Sequence, residues 1–250
     1  MSQNEASTKK HRSPEFPNLR DIKLVDIHSM KYTLGVEKEG QAIADMFYRK
    51  IGYNIVNRFG WDTAQDKEFQ RSDIDCAITS TFGNQIKNLP QTLYVSEKFR
   101  SSTSYNDMLV EIYSKCNFPN GTPELGWGLK SKADILYYQS YDEIWLIDAK
   151  RLQEHIQKIY EYNKDWFSRT FIVDKTARDY NYMYDGVREK VEFLCIPTTS
   201  EAGEWMWKGL VVALPYEWLK KQNLILGAWD INRGGDCISF TSSTDILKQL

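Results

Sequence analysis

Two rhythms of apolar residues run along the chain, one with the period of a helix and one with the alternation of a strand. From residue 37 to 51, Ile43, Met46, Phe47 and Ile51 return at spacings of three and four, with Glu37, Glu39 and Lys50 off the stripe, which predicts a helix. Gly52 is suited to cap its C-terminal end. Residues 53–58 read as a strand with Ile55 and Val56 inward, and residues 61–69 as polar loop. Two further β-type runs follow at about 71–80 and 92–100, joined by a polar, turn-like linker that ends in Asn88-Leu-Pro90. They are predicted to pair as a long hairpin. After a turn at 101–105, residues 108–113 read as a strand, and the Pro- and Gly-rich stretch from Cys116 to Gly128 as loop. Residues 133–138 and 143–148 form a second hairpin. Lys150 to about Trp166 reads as a helix with Leu152, Ile156, Ile159 and Tyr160 on one side. Strands at 191–196 and 209–214 and a short helix at 216–221 complete the pattern, with no internal repeats.

This order predicts an α+β fold, a mixed central β-sheet flanked by helices. Residues 1–18, polar and interrupted by Pro14 and Pro17, read as a disordered tail. Residues 19–166 form the core, within which the state of 22–27 is open, and residues 167–250 an extension packed on it. With 250 residues the chain can bury a large core. Its net charge of −2 provides no global basic field, so a surface for nucleic acid has to be local. Cys76, Cys116, Cys195 and Cys237 are far apart and lack CxxC spacing, and read as reduced core thiols of a cytoplasmic protein. The pattern reads as lacking both a signal peptide and a bilayer-length apolar run. His28 and His155 lack metal-ligand spacing, and Trp205, Trp207, Trp218 and Trp229 read as a C-terminal core.

The first hairpin carries the chemistry. Ile74, Ala77 and Ile78 ask for burial, yet Asp73 and Asp75 share a strand face beside them; Tyr94, Val95 and Phe99 do likewise, yet Glu97 and Lys98 come between. Charges of this kind are costly to bury unless paired or bound to a metal. The plain alternative is that the acids are strand-edge charges that discourage aggregation, with Glu97 and Lys98 a surface pair.

A helix, a strand, an acid at the head of a second strand and an acid–lysine pair on a third together resemble the PD-(D/E)XK nuclease superfamily. Gln70-x-x-Asp73-Ile-Asp75, Ser96-Glu97-Lys98-x-Arg100, Asp107-x-x-x-Glu111 and Gly126-Trp127 are similar to phage- and plasmid-type members with a contiguous Glu-Lys. The resemblance covers about residues 37–150. It implies a restriction-endonuclease-like core and Mg²⁺-dependent hydrolysis of DNA phosphodiesters, with Mn²⁺ able to substitute. Carboxylates suit such hard cations; the ion activates water and neutralises transition-state charge, and a lysine adds electrostatic stabilisation. By resemblance, Asp75, Glu97, Lys98 and Glu111 are catalytic, and Asp75, Glu97 and Glu111 hold the metal. Gln70 and Arg100 lie at the phosphate rim. Trp127 and Lys130, with Lys132, suit stacking on a base and tracking a phosphate backbone. The resemblance also allows a homodimer that cuts both strands.

One departure stands out. The superfamily's acid-x-lysine spacing puts both side chains on one strand face, whereas here Ser96 shares the face of Lys98 and Glu97 points away. Either a β-bulge re-aims Glu97, or the acid partner of Lys98 is Glu111 or Asp73. A rival constellation, Asp134 with Asp148-Ala-Lys150, has the expected spacing but follows the loop at 116–132, which leaves no room upstream for the core's first helix and strand. A DNA-binding or accessory protein without turnover is the alternative to an enzyme, and a structural module with solvated acids is the third reading.

Overall fold

A computed structural model of the chain describes residues 30–80, 91–100, 106–116, 122–173, 178–179, 182–184, 187–189, 192–199, 205–234 and 237–243. The expected tail, the segment 22–27, the hairpin linker and the turn at 101–105 lie outside these residues.

Helix α1 (Met30–Lys50) leads into β1 (Tyr53–Arg58), a short helix α2 (Ala64–Arg71), β2 (Cys76–Ser80), β3 (Thr92–Phe99) and β4 (Asp107–Lys115). Then come β5 (Glu124–Leu125), α3 (Trp127–Lys130), β6 (Ile135–Gln139), β7 (Glu143–Asp148) and the long α4 (Ala149–Val173). The rest is β8 (Arg178–Asp179), β9 (Tyr182–Tyr184), β10 (Val187–Glu189), β11 (Glu192–Thr199), β12 (Trp205–Pro215), α5 (Tyr216–Lys221), β13 (Ile225–Gly234) and β14 (Cys237–Ser242).

The fold is mixed α+β. A seven-stranded sheet runs β1-β2-β3-β6-β7-β13-β14, antiparallel throughout except where β3 lies parallel to β6. A five-stranded sheet runs β5-β4-β12-β11-β8, and β9 pairs with β10. Helix α1 covers one face of the larger sheet, burying Ile43, Phe47, Tyr48 and Ile51 against Cys76, Val95, Tyr137 and Leu146. The opposite face meets α4 and the smaller sheet through Ala77, Leu136, Ile147, Val110, Ile112, Leu152 and Ile156. Each buried Leu, Ile, Val or Phe among them contributes roughly 1.5–3 kcal/mol over an exposed one.

The structure departs from the pattern in several places. Residues expected as loop form α2, whose N-terminus is capped by Thr63: the Asp66 amide donates to Thr63 Oγ1 at 3.0 Å. This helix buries none of its residues fully, so it has no apolar stripe to announce it. It displaces the start of β2 to Cys76. Val56 points outward, 62% exposed, because the register of β1 slips between Ile55 and Asn57. Short elements β5 and α3 occupy part of the expected loop at 116–128. The expected extension is woven into both sheets: β12 pairs with β4, and β13 with β7. Cys76 and Cys116 are buried, but Cys237 is exposed on an edge strand rather than in the core. Among the described residues no helix is long and apolar enough to cross a membrane.

Candidate active site

The site begins where α2 stops. The Asp73 amide donates to the Gln70 carbonyl and the Ile74 amide to the Phe69 carbonyl, each at 3.0 Å. This is the paired closure of a helix C-terminus around a left-handed residue. That residue is Asp73, with φ 56°, where glycine is usual and aspartate is among the few tolerated substitutes. The turn delivers Asp73 and Asp75 to the head of β2, next to β3.

Strand β3 pairs without a register shift to β2 and to β6, so its side chains alternate strictly. Ser96 and Lys98 face Asp73: the Ser96 hydroxyl donates to Asp73 Oδ2 at 2.7 Å, and Lys98 Nζ to Asp73 Oδ1 at 2.6 Å. Lys98 Nζ also lies 3.9 Å from Asp75 Oδ2. The Glu97 amide donates to that same Asp75 oxygen at 2.6 Å, and Gln70 Nε2 donates to the Phe59 carbonyl at 2.6 Å and to Asp75 Oδ1 at 3.4 Å.

Strand β4 supplies Glu111. Its carboxylate accepts the Trp127 amide at 3.4 Å, at the turn into α3. The turn fits there because Gly126 and Gly128 lack side chains; a Cβ on either would come within 2.4–2.8 Å of the Glu111 carbonyl oxygen. The Trp127 ring lies under the Lys98 ammonium, 5.3 Å from its centroid.

The electrostatics follow. Burial acts against the charge on Lys98, but Asp73, Asp75 and Glu111 outweigh it, so its pKa lies above the ordinary lysine value and it stays an ammonium at neutral pH. Burial raises the Glu111 pKa, with the Trp127 amide, Lys98 and Lys130 acting the other way.

No family model, curated protein or solved structure matches this chain.

Glu97 does not join the acids. No bulge re-aims it, and its carboxylate lies on the α1 side of the sheet, where Arg58 donates to both oxygens at 2.7 and 3.2 Å and the Tyr48 hydroxyl donates at 2.9 Å. Cys76 Sγ lies 3.6 Å away, and Arg58 in turn pairs with Asp45. Burial raises the Glu97 pKa while Arg58 opposes the rise. The expectation that Glu97 ligates a metal with Asp75 thus meets a strand that turns the two carboxylates to opposite faces. Of the two branches left open by the spacing, the structure takes the one in which Asp73 partners Lys98 and Glu111 stands close by.

Arg100, expected at the phosphate rim, is tied to strand β4 of the smaller sheet. Its Nη1 donates to both the carbonyl and the carboxylate of Asp107, fastening the end of β3 to the start of β4. Gln70 buttresses Asp75. Lys130 is exposed within electrostatic reach of Glu111. The rival residues have structural occupations: Asp148 accepts the Arg151 amide at the start of α4, and Asp134 accepts Lys150 Nζ and the Tyr94 amide.

Among the described residues, no group of three or more Asp, Glu, His or Cys side chains forms a ready-made metal cage. The donor chemistry still suits a hard divalent ion: Asp73, Asp75 and Glu111 bring carboxylate oxygens towards one ammonium. The sequence placed Ser96 on the face of Lys98 and offered Asp73 as one of two acid partners; what it did not indicate is that Ser96 itself bonds Asp73.

Proposed function

We propose that the chain is a metal-dependent endonuclease that hydrolyses DNA phosphodiester bonds on a restriction-endonuclease-like core of the PD-(D/E)XK kind. The observation that carries this reading is the half-buried Lys98 facing carboxylates from separate segments, Asp73 and Asp75 before β2 and Glu111 on β4. A structural lysine needs one acid; the surplus negative charge here invites a further cation. The order α1-β1-β2-β3, interrupted by the short α2 between β1 and β2, supports this reading.

The residues divide the work. Asp75, held by the Glu97 amide and Gln70, and Glu111, held by the Trp127 amide, would bind the ion. When bound, Mg²⁺ or Mn²⁺ lowers the pKa of water and neutralises charge on the phosphate. Asp73 and Ser96 aim Lys98, which stays protonated and therefore acts on phosphate oxygen as a charge and hydrogen-bond donor, not as a base. Trp127 covers the ammonium from below.

Nicking of supercoiled plasmid in Mg²⁺ tests this. Asp75→Asn and Lys98→Ala abolish cutting, whereas Asp148→Asn in the rival set leaves it intact, that carboxylate serving to cap the start of α4. The direct Lys98–Asp73 pair favours a second reading, an accessory DNA-binding protein, which would retard DNA in a gel and never cut it.

A further inference from the structure

Tyr94 lies on the same face of β3 as Ser96 and Lys98, two and four residues upstream. It ends an aromatic stack: Phe59 and Phe69 lie 4.0 Å apart at 19°, and Phe69 and Tyr94 5.6 Å apart at 28°. Phe59 is buried and Phe69 partly so, while Tyr94 is 39% exposed. The main chain at Tyr94 is fixed on both sides, its amide donating to Asp134 Oδ2 and its carbonyl accepting the Asp134 amide. Lysines flank it. Lys150 Nζ sits on the other oxygen of Asp134, its side chain 69% exposed. Exposed Lys132, two residues before Asp134, is tied through its amide to the Ser72 carbonyl beside the acidic turn.

A rigid, half-open ring whose main chain is joined through Asp134 to the Lys150 ammonium, with exposed Lys132 on the adjoining segment, has the chemistry of a stacking platform for an unpaired base, with phosphates tracked by lysine. Both oxygens of Asp134, the acid in this group, are already occupied. Along β3 the distance from Tyr94 to Lys98 is about 13 Å at the usual rise per residue. About four nucleotides of a stacked strand cross that distance, fewer if the strand is stretched. Resting on the nuclease reading, we propose that Tyr94 stacks on an unpaired base of single-stranded DNA whose backbone passes Lys132 and Lys150 towards Lys98. A paired base inside a duplex offers no free face to the ring, so the substrate carries a single-stranded segment next to the cut.

The ring also covers Phe69, so the variant must keep that cover and lose only the stacking face. Tyr94→Leu does so, and Tyr94→Phe keeps both. Binding is read by fluorescence anisotropy of a labelled thymidine 15-mer and of a blunt duplex of equal length, in chelator so that nothing is cut. Wild type and Tyr94→Phe bind the single strand more tightly than the duplex; Tyr94→Leu loses about 5- to 150-fold on the single strand, with an unchanged melting temperature and duplex affinity. Equal single-strand affinity for wild type and Tyr94→Leu, or no single-strand binding by wild type, overturns the platform. The nuclease reading fails separately: single-strand binding that depends on Tyr94, with no cutting in Mg²⁺, keeps the platform and removes the hydrolase. Undiminished cutting of flapped DNA by Tyr94→Leu does the reverse.

Discussion

Asp73 occupies a position built for glycine, and substituting it separates backbone strain from side-chain chemistry. A non-glycine residue held left-handed costs about 1–2 kcal/mol, with aspartate towards the lower end. In return its carboxylate receives Lys98 Nζ at 2.6 Å and the Ser96 hydroxyl at 2.7 Å. A hydrogen bond to a charged group contributes about 1.5–3 kcal/mol, here at the low end because Asp75 and Glu111 also compensate Lys98. Asp73→Ala loses both bonds and keeps the strain, for a total of about 2–4 kcal/mol. Asp73→Gly loses the same bonds but relieves the strain, and comes out about 1 kcal/mol more stable than the alanine variant. Urea unfolding followed by tryptophan fluorescence measures the difference as a midpoint shift at constant slope. Both variants lose cutting alike, since Lys98 loses its aim in each. An alanine variant as stable as the glycine variant would refute the left-handed turn, and with it the reason Asp73 reaches Lys98.

Glu97→Gln leaves Arg58 facing a neutral amide but still paired with Asp45, and costs about 1–3 kcal/mol in the same unfolding assay; its folded fraction still binds Mn²⁺, whereas a true ligand would lose the ion outright. Burial holds the Glu111 proton to a higher pH than the ordinary 4.5, and an ion needs the carboxylate ionised. Mn²⁺ affinity measured by calorimetry over roughly pH 5–8 therefore rises with pH, because the bound proton competes with the ion; Glu111→Gln flattens that rise, and a wild-type profile already flat would contradict the assignment. Gly128→Ala drives a Cβ to 2.5 Å from Val110 Cγ1 and 2.8 Å from the Glu111 carbonyl oxygen. It lowers the melting temperature and weakens Mn²⁺ binding together, and an unperturbed variant would show that the turn does not brace Glu111.

Much of the fold was legible because the elements are strongly periodic. The stripes of α1 and α4, both hairpins and α5 emerge directly from the spacing of apolar residues, except that Met46, read onto the α1 stripe, is exposed while Ala44 and Tyr48 are buried in its place. What was missed has a common cause. Helix α2 packs no residue fully into the core, so capping by Thr63 is its main local signal. The bulge in β1 turns Val56 outward through a register slip that a six-residue run does not encode. At the site, strand alternation correctly separated Glu97 from Lys98. It could not choose between Asp73 and Glu111, because the choice depends on the left-handed turn after α2 and on β4 lying in the second sheet. The interleaving of β12 and β13 with the core was beyond reach, since strand partners far apart in sequence leave no mark on local pattern.

The most direct test is the conversion of supercoiled plasmid by the purified chain in Mg²⁺, run beside Asp75→Asn. Asp75→Asn alters a carboxylate oxygen assigned to the ion and retains an acceptor for the Glu97 amide. Wild type nicks the plasmid and Asp75→Asn, folded and with a nearly unchanged melting temperature, does not. Negative supercoiling opens short unpaired segments in the plasmid; equal cutting by the two proteins, or none by either on the plasmid and on flapped DNA alike, would contradict the hydrolytic centre.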